Sequence, residues 1–191
     1  WARLNVLVLA ALWCLIGMGL VGLYDDWLKV RHGSSDGISA RMKLAGQGLV
    51  ALIAFGIVLL DPAYRESLCE IWLPILNGPL WSAKSLGWPF LACLGVAGVF
   101  FVLVCVGCSN AVNLTDGLDG LAAGIVAVAA LAFFAYSYLL SVEVGFERAT
   151  MATLVSALLV GMCLGFLPYN VFPARIFMGD TGSMLLGFLL A

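Results

Sequence analysis

Asn113-Leu114-Thr115-Asp116-Gly117-Leu118-Asp119-Gly120 places two carboxylates and an amide between two apolar runs of membrane-crossing length. Ionisable groups at the end of a span are costly unless they pair, bind an ion or handle a substrate. Asp25-Asp26 and Gly179-Asp180 stand in comparable positions. On a helix, Asp116 and Asp119 would share a face, with Asn113 one turn earlier in the same row. Gly117 and Gly120 would let a ligand or another helix approach closely. Capping of the next helix by Asn113, Thr115 or Asp116 explains one or two of these residues, but not the row.

Asp25 and Asp26 project about 100° apart on a helix, so they need not share one ligand. Lys29 returns to their face; acids capping a helix end beside a basic loop are the bland alternative. Asp180, in a Gly-flanked turn before Thr181 and Ser183, suits Mg²⁺, which favours one or two carboxylates plus substrate phosphate oxygens. Phe177 can stack on a planar base or anchor the chain at a membrane edge. Acids with a few cations at a membrane surface suit phosphoryl transfer between a water-soluble phosphate ester and a lipid phosphate. An ion or proton path needs the same scarce acids. Here they lie at one face rather than mid-membrane, which argues against conduction.

The elements that must position these groups are apolar helices. Hydrophobic residues make up 63% of the 191 and charged residues 10%, against about half and a quarter in soluble domains. The net charge of −2 points to no nucleic-acid partner. Five spans are expected, roughly at 4–24, 44–60, 87–109, 121–142 and 150–168, with a sixth begun near Ser183 and cut off. The expected fold is all-α: a polytopic transmembrane bundle, with 1–191 forming a single integral-membrane domain. The chain reads as a fragment at both ends, since it opens on Trp1 and stops within an apolar run.

Two spans separate each acidic cluster from the next, so an even number of crossings returns all three to one face. Lys29, Arg31, Arg41, Lys43 and Arg175 lie on that side, against Arg3, Arg65, Lys84 and Arg148; this excess favours a cytosolic motif face. The stretch 61–86, with its Pro and Trp residues, reads as a membrane-surface hairpin or a short amphipathic segment. Five of the six cysteines fall within or beside apolar runs. Cys105-x-x-Cys108 lacks further ligands nearby, so packing is expected rather than zinc or a disulfide framework. His32, the one histidine, reads as a solvated loop residue.

The chain resembles the polyprenyl-phosphate N-acetylhexosamine-1-phosphate transferase superfamily, and within it most closely the phospho-N-acetylmuramoyl-pentapeptide transferase family. Asp25-Asp26-Trp27-Leu28-Lys29 with Ser39-Ala40-Arg41-Met42-Lys43, then Asn110 through Ala122, then Asn170 through Gly187 carry the likeness in the family's order. Thr115, Thr181 and the Ser39–Lys43 stretch lean to that family rather than to the branch using UDP-GlcNAc. The resemblance implies that UDP-MurNAc-pentapeptide and undecaprenyl phosphate give lipid I and UMP with Mg²⁺, at the cytosolic face of the bacterial cytoplasmic membrane; a homodimer stays open. It implies that Asp180 ligates the metal and that Asp25 is base or orienting group, with Asp26 beside it. Asn113, Asp116, Asp119 and Asn170 would line the nucleotide-sugar site, Phe177 would meet the uracil, and Lys29 would contact phosphate or nucleotide. The loop after the paired acids is less lysine-rich than the family's, and the family's His-rich loop and first spans are not in this sequence. Against a transporter, the discriminating feature is an apolar groove beside the acids able to hold a prenyl tail.

Overall fold

The computed structural model describes residues 5–67, 70–72, 79–82, 89–142 and 149–191. Seven helices occur among them: α1 (Val6–His32), α2 (Ala40–Val58), α3 (Pro62–Ser67), α4 (Phe90–Thr115), α5 (Leu121–Val142), α6 (Ala149–Asn170) and α7 (Gly179–Leu190). Five of these, α1, α2, α4, α5 and α6, are long and apolar enough to cross a membrane. They match the five expected spans, and α7 is the sixth, begun four residues earlier than expected. Within the stretch 61–86, the described residues form one short helix and two short strands. It begins with the six-residue α3, and two short strands, β1 (Glu70–Trp72) and β2 (Pro79–Ser82), pair antiparallel with Ile71 opposite Trp81. Arg3, Cys69, Lys84 and Arg148 lie outside the described residues.

Local chemistry sets the helix ends. The Asn5 side chain caps α1 by accepting from the Leu7 amide at 2.9 Å, and Ser39 caps α2 through the Met42 amide at 3.3 Å. Lys29 and Arg31 occupy the last turn of α1, where cations oppose the negative end of the helix dipole. Because α1 continues to His32, Asp25, Asp26 and Lys29 belong to the helix rather than to the following loop. Pro168 lacks an amide hydrogen, and α6 ends two residues later at Asn170.

Only 17–33% of the residues in each span are buried within the protein, so most of the apolar surface faces outward, as a bilayer requires. Ala51, Ala54, Ala122, Ala123 and Ala130 are fully or almost fully enclosed, small side chains that let neighbouring helices approach. Two clusters form the core. Cys14, Met18, Val50, Ala54, Cys105 and Phe188 join α1, α2, α4 and α7. Val112, Val126, Ala130, Leu159, Cys163 and Leu186 join α4, α5, α6 and α7. No disulfide joins the described cysteines.

α7 therefore lies between two halves of the bundle, with Leu186 packed in one cluster and Phe188 in the other. Its first turn fits against α1 at Gly22, where a Cβ would sit about 2.5 Å from the Asp180 carbonyl oxygen and the Thr181 Cα. Any larger residue there would push α7 away. The helix that carries Asp180 thus packs against α1, α4, α5 and α6.

Candidate active site

The three acidic clusters meet at one end of the bundle. Ligand oxygens of Asp25, Asp26 and Asp180 lie within 4.8 Å of one another, the one such acidic grouping among the described residues. Each carboxylate nevertheless has its own task.

Asp180 is the hub. Its Oδ2 accepts from Lys29 Nζ at 2.8 Å and Lys43 Nζ at 2.5 Å, and its Oδ1 accepts from Asn113 Nδ2 at 2.9 Å. Helices α1, α2 and α4 thereby each send one donor to the first turn of α7. Sequence reasoning placed Asp180 in a turn. The helix begins at Gly179, whose φ of +64° is readily adopted by glycine.

Asp26 supplies the cap for that helix. Its Oδ1 accepts from the Asp180 amide at 3.2 Å, and its Oδ2 accepts from the Thr181 amide at 2.9 Å and the Thr181 hydroxyl at 2.5 Å. An acid at a helix N-terminus satisfies amides left over by the ladder and complements the dipole. Here the cap comes from another helix, more than 150 residues away in sequence. Asp26, expected beside Asp25 in catalysis, thus spends both oxygens on the first turn of α7 while also bordering the cavity.

Asp25 is 1% exposed. Its Oδ1 accepts from the Ile38 amide at 2.8 Å, while its Oδ2 faces Lys29 Nζ at 2.6 Å and Lys43 Nζ at 3.6 Å. The cavity beside the cluster, of about 390 Å³, is lined by Asp26, Lys29, Asn113, Asp116 and Asp180, with Phe177 among its walls. Asp25 is not part of that lining. Expected as base or orienting group for the lipid phosphate, Asp25 instead meets the two lysines and the Ile38 amide in this structure.

The row from Asn113 to Asp119 does not form. Helix α4 stops at Thr115, whose hydroxyl donates to the Val112 carbonyl, and Gly120 takes a φ of +77° before α5 begins. The three side chains consequently take different partners, although all three residues border the same cavity. Asn113 turns to Asp180; Asp116 lines the cavity; Asp119 Oδ2 accepts from the Ala174 amide at 3.0 Å. Asn170, 3% exposed, completes a brace between the two loops. It accepts from the Gly120 amide at 3.1 Å and donates to the Ile176 carbonyl at 3.0 Å. Asp119 and Asn170 border the cavity, but these polar atoms hold its walls together.

Asp116 has no side-chain hydrogen bond among the described residues. Burial, followed by the charges of Asp180 and Asp26, raises its carboxyl above the ordinary value of 3.8. The folded protein therefore binds this proton more tightly than the unfolded chain. Ionising Asp116 lowers stability as pH rises from the unfolded value through the raised folded one. In metal-free buffer, Asp116→Asn is expected to melt above wild type at neutral pH, with the gap closing as pH falls to about 3. Identical melting curves at both pH values would show that Asp116 carries no such strain.

The donor set fits a hard divalent cation. Asp25, Asp26 and Asp180 pair with Lys29 and Lys43, so three acids against two ammonium groups leave one negative charge unbalanced, and Asp116 and Asp119 add two carboxylates to the cavity wall. All the ligand atoms are carboxylate oxygens, as Mg²⁺ prefers. Asp116 is the cavity acid without a side-chain hydrogen bond among the described residues, and Asp180 borders the same cavity with both oxygens on donors.

Lys43 is the main residue that sequence reasoning left without a role, although it was counted among the basic residues of this face. Its helical offset from Ser39 placed it one turn into α2, but nothing local indicates a partner 137 residues away. Phe177 is 74% exposed and also borders a second, apolar groove of about 270 Å³ between α6 and α7, walled by Met162, Phe166, Met178 and Leu185.

A bundle of spanning helices with acids, lysines and an amide gathered at one end defines an integral membrane protein with an acid-rich polar site at that end. The chain belongs to glycosyl transferase family 4, whose model matches residues 8–191. It is 38% identical to a phospho-N-acetylmuramoyl-pentapeptide-transferase from Opitutus terrae over 200 residues, covering 100% of this chain and 51% of that protein. A protein of the same name from Desulforudis audaxviator is 45% identical over 173 residues, covering 90% and 47%. One from Chlamydia pneumoniae is 41% identical over 176 residues, covering 89% and 46%. The chain thus spans about half the length of the curated relatives it matches.

Proposed function

We propose that the protein transfers phospho-MurNAc-pentapeptide from UDP-MurNAc-pentapeptide to undecaprenyl phosphate, giving lipid I and UMP for peptidoglycan synthesis. The observation that carries this reading is the three-donor enclosure of Asp180 beside an open cavity, in a chain similar to transferases of that name. The site would face the cytosol from the bacterial cytoplasmic membrane, with 1–191 forming one continuous membrane domain.

In this reading Asp180 holds Mg²⁺. The ion, when bound, neutralises charge on the diphosphate. Lys29 reaches into the cavity to contact phosphate, and Lys43 holds Asp180 in place beside it. Asn113 and Asp116 face the nucleotide-sugar, and Phe177 offers its exposed ring to the uracil. Asp119 and Asn170 fix the loops on either side.

A phosphate monoester has its second pKa near 6, so the lipid phosphate is largely dianionic at neutral pH. One of its oxygens can attack the sugar-linked phosphorus directly while the bond to UMP breaks. No proton need be removed first, which agrees with the burial of Asp25. The apolar groove beside Phe177 suits a prenyl chain, which supports transfer over ion conduction.

Offering the full-length protein UDP-MurNAc-pentapeptide and UDP-GlcNAc in separate reactions, each with undecaprenyl phosphate, tests the assignment. UMP and a lipid product are expected from the first sugar. Product from UDP-GlcNAc alone would move the protein to the other branch of the family.

A further inference from the structure

Directly beneath the Asp180 cluster lies a second polar layer that the proposed reaction does not use. Gln47 stands one turn after Lys43 on α2, Ser109 and Asn110 about one turn before Asn113 on α4, and Met184 one turn after Asp180 on α7. Gln47, Ser109 and Met184 are each 0% exposed. Gln47 Nε2 donates to Ser109 Oγ at 3.3 Å and meets Met184 Sδ at 3.1 Å. Gln47 Oε1 accepts from Asn110 Nδ2 at 2.7 Å, and Ser109 Oγ donates to the Met184 carbonyl at 3.0 Å. Every polar atom of the Gln47 side chain thus has a partner on α4 or α7.

The same three helices that bring Lys43, Asn113 and Asp180 together are joined again one turn deeper. A buried glutamine in apolar surroundings is costly unless fully bonded. Once bonded, it favours one axial register of its helices over sliding alternatives that would leave its amide unsatisfied. A shift of one helix by a fraction of a turn would carry Lys43 or Asn113 away from Asp180.

We infer that Gln47 is a positioning residue, whose side-chain amide locks α2, α4 and α7 in the register that directs Lys43 and Asn113 onto Asp180. This rests on the reading of Asp180 as the metal-holding acid. Gln47 touches neither the cavity nor the acids themselves, so its effect reaches them only through the helices.

Gln47→Met keeps length and volume while removing both hydrogen-bonding functions, and Gln47→Glu retains the acceptor for Asn110. In the full-length protein, three quantities would be measured: melting temperature, Mn²⁺ affinity by electron paramagnetic resonance, and transferase kcat and KM. Gln47→Met is expected to weaken Mn²⁺ binding and lower kcat by about tenfold each, with KM for the nucleotide-sugar within about twofold. Gln47→Glu should recover part of both losses. Mn²⁺ affinity and kcat within about twofold of wild type for Gln47→Met would overturn the inference. So would losses that merely track a lower melting temperature. If wild type binds Mn²⁺ and Gln47→Met weakens it, but neither UDP-sugar is turned over, the transferase reading falls and the positioning role stands.

Discussion

Asp180→Asn, in the full-length protein, is expected to lower Mg²⁺-dependent UMP release by at least about a thousandfold while leaving the fold intact. Three donors converge on this carboxylate, two of them cationic. An amide at this position has one oxygen in place of two and brings an N–H group towards at least one of those donors. It also removes the negative charge that a divalent cation requires. The backbone of α7 should not move, because Asp26 caps it through the Asp180 and Thr181 amides and the Thr181 hydroxyl, none of which the substitution changes. Loss of activity with a melting temperature near wild type therefore separates this variant from one that misfolds. Undiminished turnover would remove Asp180 from the metal site. Turnover lost together with the folded state would instead give it a structural role.

Much of this arrangement was legible in the sequence, for reasons that differ by element. The five spans were readable because apolar runs of bilayer length have few other uses. Convergence of the acids followed from counting crossings, which needs no side-chain detail. Individual roles were not readable, because each depends on a partner distant in the chain. Asp26 looks like Asp25 in sequence, yet one caps α7 and the other is sealed beneath two lysines. The proposed row Asn113, Asp116, Asp119 assumed a continuous helix, and the left-handed Gly120 together with the end of α4 at Thr115 broke it. Gln47 carried no local sign of importance beyond being an amide within an apolar span. That signal was available, since such residues seldom go unbonded in a membrane.

Lys29→Met should produce the second large effect, through stability and substrate binding together. Lys29 Nζ lies 2.6 Å from Asp25, 2.8 Å from Asp180 and 3.9 Å from Asp26. An exposed pair of this kind would contribute little. Asp25, however, is almost completely enclosed, and removing the partner of a buried charge costs about 3–5 kcal/mol. Lys43, 3.6 Å from the same oxygen, remains to offset part of this. A net loss of about 2 kcal/mol is expected, which lowers melting by roughly 4–8 °C in a chain of this size. The cavity meanwhile loses a cation and becomes more negative. Affinity for the diphosphate should fall, with KM for the nucleotide-sugar rising at least about tenfold, as expected for loss of a charge-assisted hydrogen bond. The Mg²⁺ concentration for half-maximal rate should move the other way, because only Lys43 then competes with the ion for Asp180. This opposed shift is the discriminating result, since a general loosening of the site would weaken metal and nucleotide together. Unchanged melting and KM would show that Lys29 is a solvated bystander, leaving Lys43 alone to balance the acids.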